Sequence, residues 1–165
     1  STITLCTGTR DPDDKWRWHP GNALPDAWQD LRGAMERALA IADEHDLVLG
    51  IEPEQANVVD SPAAARRLLD EMRSPRLKVI LDPVNLQAGG DADRVRALVD
   101  EALDLRGPDL VAAHAKELFP GGAGWRLDYR HFVAALRAAG FGGPLLLHNL
   151  PEAAVGPAVR LLRGL

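Results

Sequence analysis

Short apolar runs alternate along the chain with longer segments in which apolar residues recur every three or four positions. The short runs are continuous, as in LVLGI, KVIL and LLL, whereas the longer segments carry their apolar residues on one helical face. Continuous apolar runs indicate strands that are covered on both faces, which is typical of parallel sheets. The pattern therefore predicts five β/α units in strict alternation.

Turn-forming and helix-capping residues between these segments set the predicted boundaries. Strands are predicted at residues 2–6, 47–52, 77–82, 110–114 and 144–148. Asp26 is the predicted N-cap of the first helix, and Ser61 with Pro62 starts the second. The remaining helices are predicted at residues 91–105, 128–139 and 151–162, the last kinked at Pro157. A polar loop at 7–25 and a flexible glycine loop at 121–124 complete the prediction.

Four polar residues stand at the ends of successive predicted strands: Glu52, Asp82, His114 and His148. They are 30, 32 and 34 residues apart (82 − 52, 114 − 82 and 148 − 114), about the length of one strand–helix unit. Strand tips share one mouth in a closed β/α barrel. Two carboxylates and two imidazoles meeting there predict a divalent-metal site, in which a second imidazole shifts the preference from Mg²⁺ toward Mn²⁺, Co²⁺ or Zn²⁺.

A barrel and an open doubly wound sheet both satisfy the alternation. The segment CTGTRDPDD after the first strand matches no dinucleotide or P-loop pattern, and polar strand tips suit a barrel mouth better than one crevice. A complete barrel takes about 250 residues, and this chain has 165. We therefore expect a single domain, 1–165, that forms the C-terminal part of a barrel in a longer protein.

Composition narrows the classes of function. The chain is 46% hydrophobic, carries a net charge of −5 and has basic clusters no longer than pairs, which argues against a nucleic-acid partner. No apolar run approaches the ~18 residues of a membrane span, and the N-terminus does not read as a signal peptide. Cys6 is the only cysteine, expected to be a small buried hydrophobe. These features predict a cytoplasmic protein with no membrane association.

The segments LGIEPEQANVV, VILDPVNL, VAAHAKE and GFGGPLLLHNL resemble the xylose isomerase-like barrel superfamily of sugar and sugar-phosphate isomerases and epimerases. The resemblance implies a (β/α)8 TIM barrel, of which this chain holds about the last five units. It also implies that Glu52, Asp82 and His114 are metal ligands. Three departures stand out. His148 replaces the family's eighth-strand Glu, Asn85 replaces a substrate-contacting His, and the family's arginine is missing from residues 117–120.

The implied reaction is proton abstraction next to a carbonyl through an enediolate, with a divalent metal (Mn, Co, Zn or Mg) polarising the carbonyl. Glu52 could be a ligand, the base, or each in turn. His148 could complete the metal sphere or act as the second acid/base group. Four further residues are predicted to contact substrate, each with an ordinary structural alternative such as packing, a turn or a solvated charge: Lys116, Asn85, His19 and Trp16.

Two other functions stay open at this stage. The Glu-to-His difference at His148 fits a barrel that has lost isomerase chemistry and serves as a sugar-binding or regulatory protein. An apurinic-site endonuclease relative is a third reading, disfavoured by Asn85 and by the acidic charge. The expected partner is a small carbohydrate. The first strand would present an open edge, which is covered either by the preceding strands of a longer chain, the alternative we favour, or by a partner chain in a homo-oligomer.

Overall fold

The computed structural model describes residues 1–86, 92–106, 109–116 and 127–165. Its five strands are β1 (Thr2–Leu5), β2 (Val48–Ile51), β3 (Leu77–Leu81), β4 (Leu110–Ala115) and β5 (Leu145–Leu147). Its five helices are α1 (Pro25–Glu44), α2 (Pro62–Met72), α3 (Ala92–Arg106), α4 (Tyr129–Ala138) and α5 (Glu152–Arg163). A short 3-10 helix, Pro20–Ala23, precedes α1.

The five strands form one parallel sheet in the order β1-β2-β3-β4-β5, curled into a half-barrel with helices between successive strands. This confirms the predicted β/α alternation and the partial TIM barrel. Within the described residues, β1 and β5 each pair with one strand only. Both outer edges of the half-barrel therefore present backbone groups that no described strand pairs.

Helix starts follow the local chemistry of proline and serine. Ser61 caps α2 as predicted, since its Oγ accepts a hydrogen bond from Ala64 N at 3.2 Å and Pro62 occupies the first turn. The prediction of Asp26 as the cap of α1 is wrong. That helix begins at Pro25, which needs no partner for an N–H it lacks, and Asp26 lies in the first turn.

Several predicted features fall at or beyond the limits of the description. The predicted start of α3 at Asp91, the residues 117–120 and the glycine loop 121–124 lie outside the described residues. In α5, Pro157 lies inside one helix that runs from Glu152 to Arg163. Among the described residues, no helix combines the length and apolar character that a bilayer crossing requires.

Two hydrophobic clusters cover the sheet and meet at β3. The first packs α1 and α2 on β2 and β3, through residues such as Leu31, Met35, Leu68, Ile51 and Val79. The second packs α3 and α4 on the following strands, through residues such as Val99, Phe132, Leu136, Leu81 and Ala113. Because β3 contributes to both, the strand tips rest on a continuous packed layer.

Two details show how packing constrains the strands. At Gly50 in β2 an added Cβ would lie 2.8 Å from the Ile80 side chain and 3.3 Å from that of Val111, so this close approach requires glycine. Cys6 follows β1 and is exposed, which makes the expectation of a buried thiol wrong. A strand side chain is buried only where another element covers the face of the sheet on which it lies.

Candidate metal and carbohydrate site

The four predicted strand-tip residues all lie at the same mouth of the half-barrel. Glu52 and Asp82 directly follow β2 and β3, His114 is the last residue but one of β4, and His148 directly follows β5. The first three are buried, and the Asp82 side chain is fully so. His148 is exposed. The predicted convergence is thus present as three buried groups with one accessible imidazole beside them.

The pairing of β3 with β4 contains a one-residue shift that sets the level of His114. Val79 pairs with Leu110, but Ile80 pairs with Ala112 and Leu81 with Ala113. The shift places His114 next to the end of β3, where Asp82 follows. Because register decides which side chains meet, this irregularity brings the imidazole level with the carboxylate.

Three donor atoms converge closely. His114 Nδ1 lies 3.2 Å from Asp82 Oδ2 and 3.3 Å from Glu52 Oε1. The His148 ring centroid is 5.0 Å from that of His114. One ligand atom each from Asp82, His114 and His148 can be chosen within 4.8 Å of one another. Asp82 and His114 thus belong to one group of possible ligands with His148, and Glu52 approaches that group through His114 Nδ1.

Lys116 and Asn85 connect these groups from a second side. Lys116 Nζ lies 2.6 Å from Asp82 Oδ2 and 4.0 Å from Glu52 Oε1, and it donates to Asn85 Oδ1 at 2.8 Å. Asn85 Nδ2 in turn donates to Glu52 Oε1 at 2.6 Å. The Lys116 side chain is only 12% exposed, so the alternative of a solvated surface charge is wrong. Both residues belong to the cluster.

Backbone donors fix the orientation of Asp82. Its Oδ1 accepts hydrogen bonds from Val84 N at 2.9 Å and Asn85 N at 3.3 Å, in the turn that follows β3. Its Oδ2 faces His114 and Lys116. With one oxygen held by the turn, the other is aimed at the centre of the mouth, and this reduces the ordering needed to bind a ligand there.

The charges of the cluster are strongly coupled. Burial alone raises the pKa of Asp82, but the hydrogen bonds and charges of His114 and Lys116 outweigh it and lower the pKa to about 2. Burial lowers the pKa of His114, but hydrogen bonds to Asp82 and Glu52 and their charges raise it to about 9. At neutral pH, the Asp82 carboxylate therefore faces an imidazolium at His114.

The donor set fits a divalent ion. Separations of 3.2 and 3.3 Å between His114 Nδ1 and the two carboxylate oxygens are close to those of neighbouring ligands bound at about 2.0–2.2 Å to one ion. Carboxylate oxygen and imidazole nitrogen together suit Mn²⁺, Co²⁺ and Zn²⁺. Binding requires His114 to release its Nδ1 proton, because only neutral imidazole is a ligand.

The other two predicted substrate contacts lie outside this cluster. His19 Nδ1 accepts a hydrogen bond from Gly21 N at 3.0 Å and so caps the short 3-10 helix. Trp16 is 58% exposed and Trp18 is 56% exposed on the β1–α1 loop. Trp16 lines a cavity that none of the four strand-tip residues lines. Exposure of this extent argues against the alternative that these rings pack under the loop.

Buried asparagines organise the mouth in a way that sequence reasoning missed. Asn57 is buried, accepts a hydrogen bond from Gly8 N at 2.6 Å and donates one to Glu54. Asn22 is also buried and donates to the Ala56 carbonyl at 2.8 Å. They tie the β1–α1 loop to the β2–α2 loop. Asparagine is the ordinary residue of turns, so no signal in the sequence marks these two.

Comparisons with known proteins show which family and which solved structures this chain is similar to. A family model described as Xylose isomerase-like TIM barrel matches residues 1–165. A search of curated proteins found no match. Among solved structures, 3-keto-D-glucoside 4-epimerase from E. coli is 18% identical with a TM-score of 0.70, over 99% of this chain and 64% of that one.

Two further structures show the same relation. A xylose isomerase domain protein from Planctomyces limnophilus is 18% identical with a TM-score of 0.70, over 99% of this chain and 57% of that one. D-allulose 3-epimerase from Methylomonas sp. is 22% identical with a TM-score of 0.61, over 90% and 51%. At these identities the likeness shows the fold. The chain spans about half to two thirds of the length of these proteins.

Proposed function

Since the chain belongs to the xylose isomerase-like TIM barrel family, we propose that it carries the metal-binding part of the active site of a sugar or sugar-phosphate isomerase or epimerase. The observation that carries the proposal is that carboxylate oxygens of Glu52 and Asp82 both lie within 3.3 Å of His114 Nδ1. Several structures of the same fold are named as sugar epimerases, which supports a carbohydrate substrate.

The ion would be held by Glu52, Asp82 and His114, with His148 close enough to join them. When bound, it would polarise the substrate carbonyl and stabilise the negative charge that forms on deprotonation. The mixed carboxylate and imidazole donors favour Mn²⁺, Co²⁺ or Zn²⁺ over Mg²⁺. The protein supplies a buried setting for these ligands, where charge interactions are stronger than in water.

Proton transfer next to the carbonyl is assigned to Glu52 and His148. Asn85 Nδ2 holds Glu52 Oε1 at 2.6 Å, which orients the carboxylate as the base. His148 is exposed, so its ring can exchange protons with solvent while the buried groups hold the ion. A single ring nitrogen cannot ligate the ion and transfer a proton at once. Lys116 and Asn85 are then placed to bind a hydroxyl, carboxylate or phosphate of the substrate.

A second candidate function is a sugar-binding or regulatory barrel without turnover. The observation that favours it is His148, which stands where the resemblance implies a carboxylate that serves both metal and proton transfer. In that case the cluster would bind an ion and a sugar, but a second carboxylate for proton return would be lacking.

The first experiment separates these candidates. We expect the purified protein to contain about one Mn, Co or Zn ion per chain by elemental mass spectrometry, and to interconvert members of a sugar and sugar-phosphate panel followed by NMR, only with the ion present. His148→Ala should retain the ion and lose turnover if His148 transfers a proton. It should lose both if His148 is a ligand.

The opposite results are equally clear. A wild-type protein that binds the ion and turns over no sugar, together with a His148→Glu variant that gains metal-dependent turnover, would favour the binding protein. Absence of any ion after incubation with Mn²⁺, Co²⁺ and Zn²⁺ would contradict the metal site itself.

Replacing Lys116 with Met should raise the affinity for Mn²⁺ at least tenfold. The ammonium lies 2.6 Å from Asp82 Oδ2, the oxygen that also faces His114, so it competes with an incoming cation and repels it. Relief of only about 1.4 kcal/mol gives the tenfold change. Titration calorimetry measures it. Lys78→Met, which removes an ammonium 3.0 Å from Asp109 away from the mouth, is the matched control. Unchanged or weaker binding in Lys116→Met would show that the ammonium does not compete.

A further inference from the structure

We propose that a cavity lined by the loops that follow β2 and β3 is a second sugar subsite, so that the substrate is a sugar bearing another sugar unit rather than a free monosaccharide. This inference rests on the proposed function and specifies its substrate class. The rim cavity, as we name it, has a volume of about 600 Å³. Among the residues that line it are Trp16, Trp18, Gln55, Asp60, Leu86 and Arg94.

The rim cavity adjoins the cluster along two loops. After β2, Glu52 faces the cluster and Glu54, two residues later, lines the rim cavity. After β3, Asn85 contacts Glu52 and Lys116, and the next residue, Leu86, lines the rim cavity. The rim cavity and the cluster therefore share the loops that follow β2 and β3.

The lining has the composition that binds a pyranose ring. Trp16 and Trp18 expose more than half of their surface, which is unusual for so large an apolar side chain. An indole face accommodates the apolar C–H face of a sugar, and polar groups at the margin bind its hydroxyls. Asp60 supplies acceptors, and Gln55 supplies donors. The volume lies within the range of small-molecule sites.

The loop that carries the tryptophans is held in place before any ligand arrives. Arg17, between the two rings, donates to Asp11 Oδ1 at 2.8 Å, and Asp14 accepts from Trp16 N at 2.9 Å. Asn22 fastens the same loop to the Ala56 carbonyl. Preorganisation of this kind lowers the entropic cost of binding, so that stacking on the exposed rings contributes to affinity.

The test compares sugars of one and two units on the metal-loaded protein. We expect maltose, cellobiose or trehalose to bind at least tenfold more tightly than glucose and fructose, by titration calorimetry and by tryptophan fluorescence. The Trp16→Ala/Trp18→Ala double variant should bring the preferred disaccharide down to the affinity of a monosaccharide and leave monosaccharide binding unchanged. Leu24→Ala, also an exposed apolar residue but outside the rim cavity, is the control.

Each other outcome overturns the inference, and the outcomes are distinct. Monosaccharide binding with no gain for any disaccharide contradicts the subsite while the proposed function stands. An equal disaccharide preference in the wild type and in the double variant shows that the second unit binds elsewhere. If the double variant changes the oligomeric state in gel filtration and no sugar affinity, the rings contact a partner chain instead. Absence of binding by every sugar contradicts the proposed function and the subsite together.

Discussion

Asp82→Asn should lower the affinity for Mn²⁺, Co²⁺ or Zn²⁺ at least 100-fold and abolish metal-dependent turnover. Asp82 is fully buried, and its Oδ2 faces both His114 and Lys116. The substitution keeps the shape of the side chain but removes the negative charge that a divalent ion requires. It also leaves two buried cations with Glu52 as their remaining carboxylate. Titration calorimetry on the metal-stripped protein measures the affinity.

The control for this substitution is Asp109→Asn. Asp109 also pairs with a lysine, Lys78, but away from the metal cluster, so this variant should bind the ion like the wild type. Because breaking a buried ion pair costs about 3–5 kcal/mol, the free energy of unfolding of Asp82→Asn must be measured by urea denaturation to confirm that it is folded. A folded variant with wild-type affinity would show that the ion is held elsewhere.

Metal affinity should rise about tenfold per pH unit between pH 7 and pH 9, and level off above. The pKa of His114 is raised to about 9 by its contacts with Asp82 and Glu52, which outweigh the opposite effect of burial. Below that pH the proton on the imidazole competes with the ion, so each ion bound at pH 7.5 releases about one proton. Calorimetry in two buffers of different ionisation enthalpy counts the protons released.

Without a metal ion, the free energy of unfolding should fall between pH 7 and pH 9, whereas metal affinity rises over that range. A pKa raised in the folded state adds stability that is complete below about pH 6.5 and is lost as the pH rises through about 9. Asp82, with its pKa lowered to about 2, adds stability that is lost as the pH falls through that value. His131→Gln, which removes an imidazole 2.8 Å from Asp100 on the helical layer, should leave the pH dependence of metal binding unchanged. A wild-type metal affinity that does not change between pH 7 and pH 9 would contradict the role of the His114 proton.

Much of the fold follows from the sequence because its signals are local. Short apolar runs marked four strands and the β-rich run TITLC marked the first, all with boundaries within one residue of those in the structure. Ser61 and Pro62 marked a helix start, because cap and first turn use the same few atoms wherever they occur. The error at Asp26 has a local cause, since the preceding Pro25 starts the helix one residue sooner. The exposure of Cys6 depends on what covers the edge of the sheet, which no local pattern reports.

The candidate site likewise has features that the sequence predicts and features that it does not. Glu52, Asp82 and His114 could be placed at one mouth because parallel strands present their tips together. The contacts of Lys116 with Asp82 and Asn85 could not be foreseen, because strand order brings residues to one mouth but does not determine where a long side chain beyond the strand end points. The shift in pairing between β3 and β4 is equally hidden, since LVAAHA is apolar on both sides of it and either register preserves the pattern.

The division of the core into two clusters gives the proposed metal ligands a role in cooperative folding. Glu52 extends from β2, which belongs to the first cluster, whereas His114 extends from β4, which belongs to the second, and Asp82 follows the strand they share. An ion that engages all three would link the two halves across β3 and bind only when both are formed. Added metal should therefore merge any separate melting of the two halves into a single transition, and hydrogen exchange would follow this strand by strand.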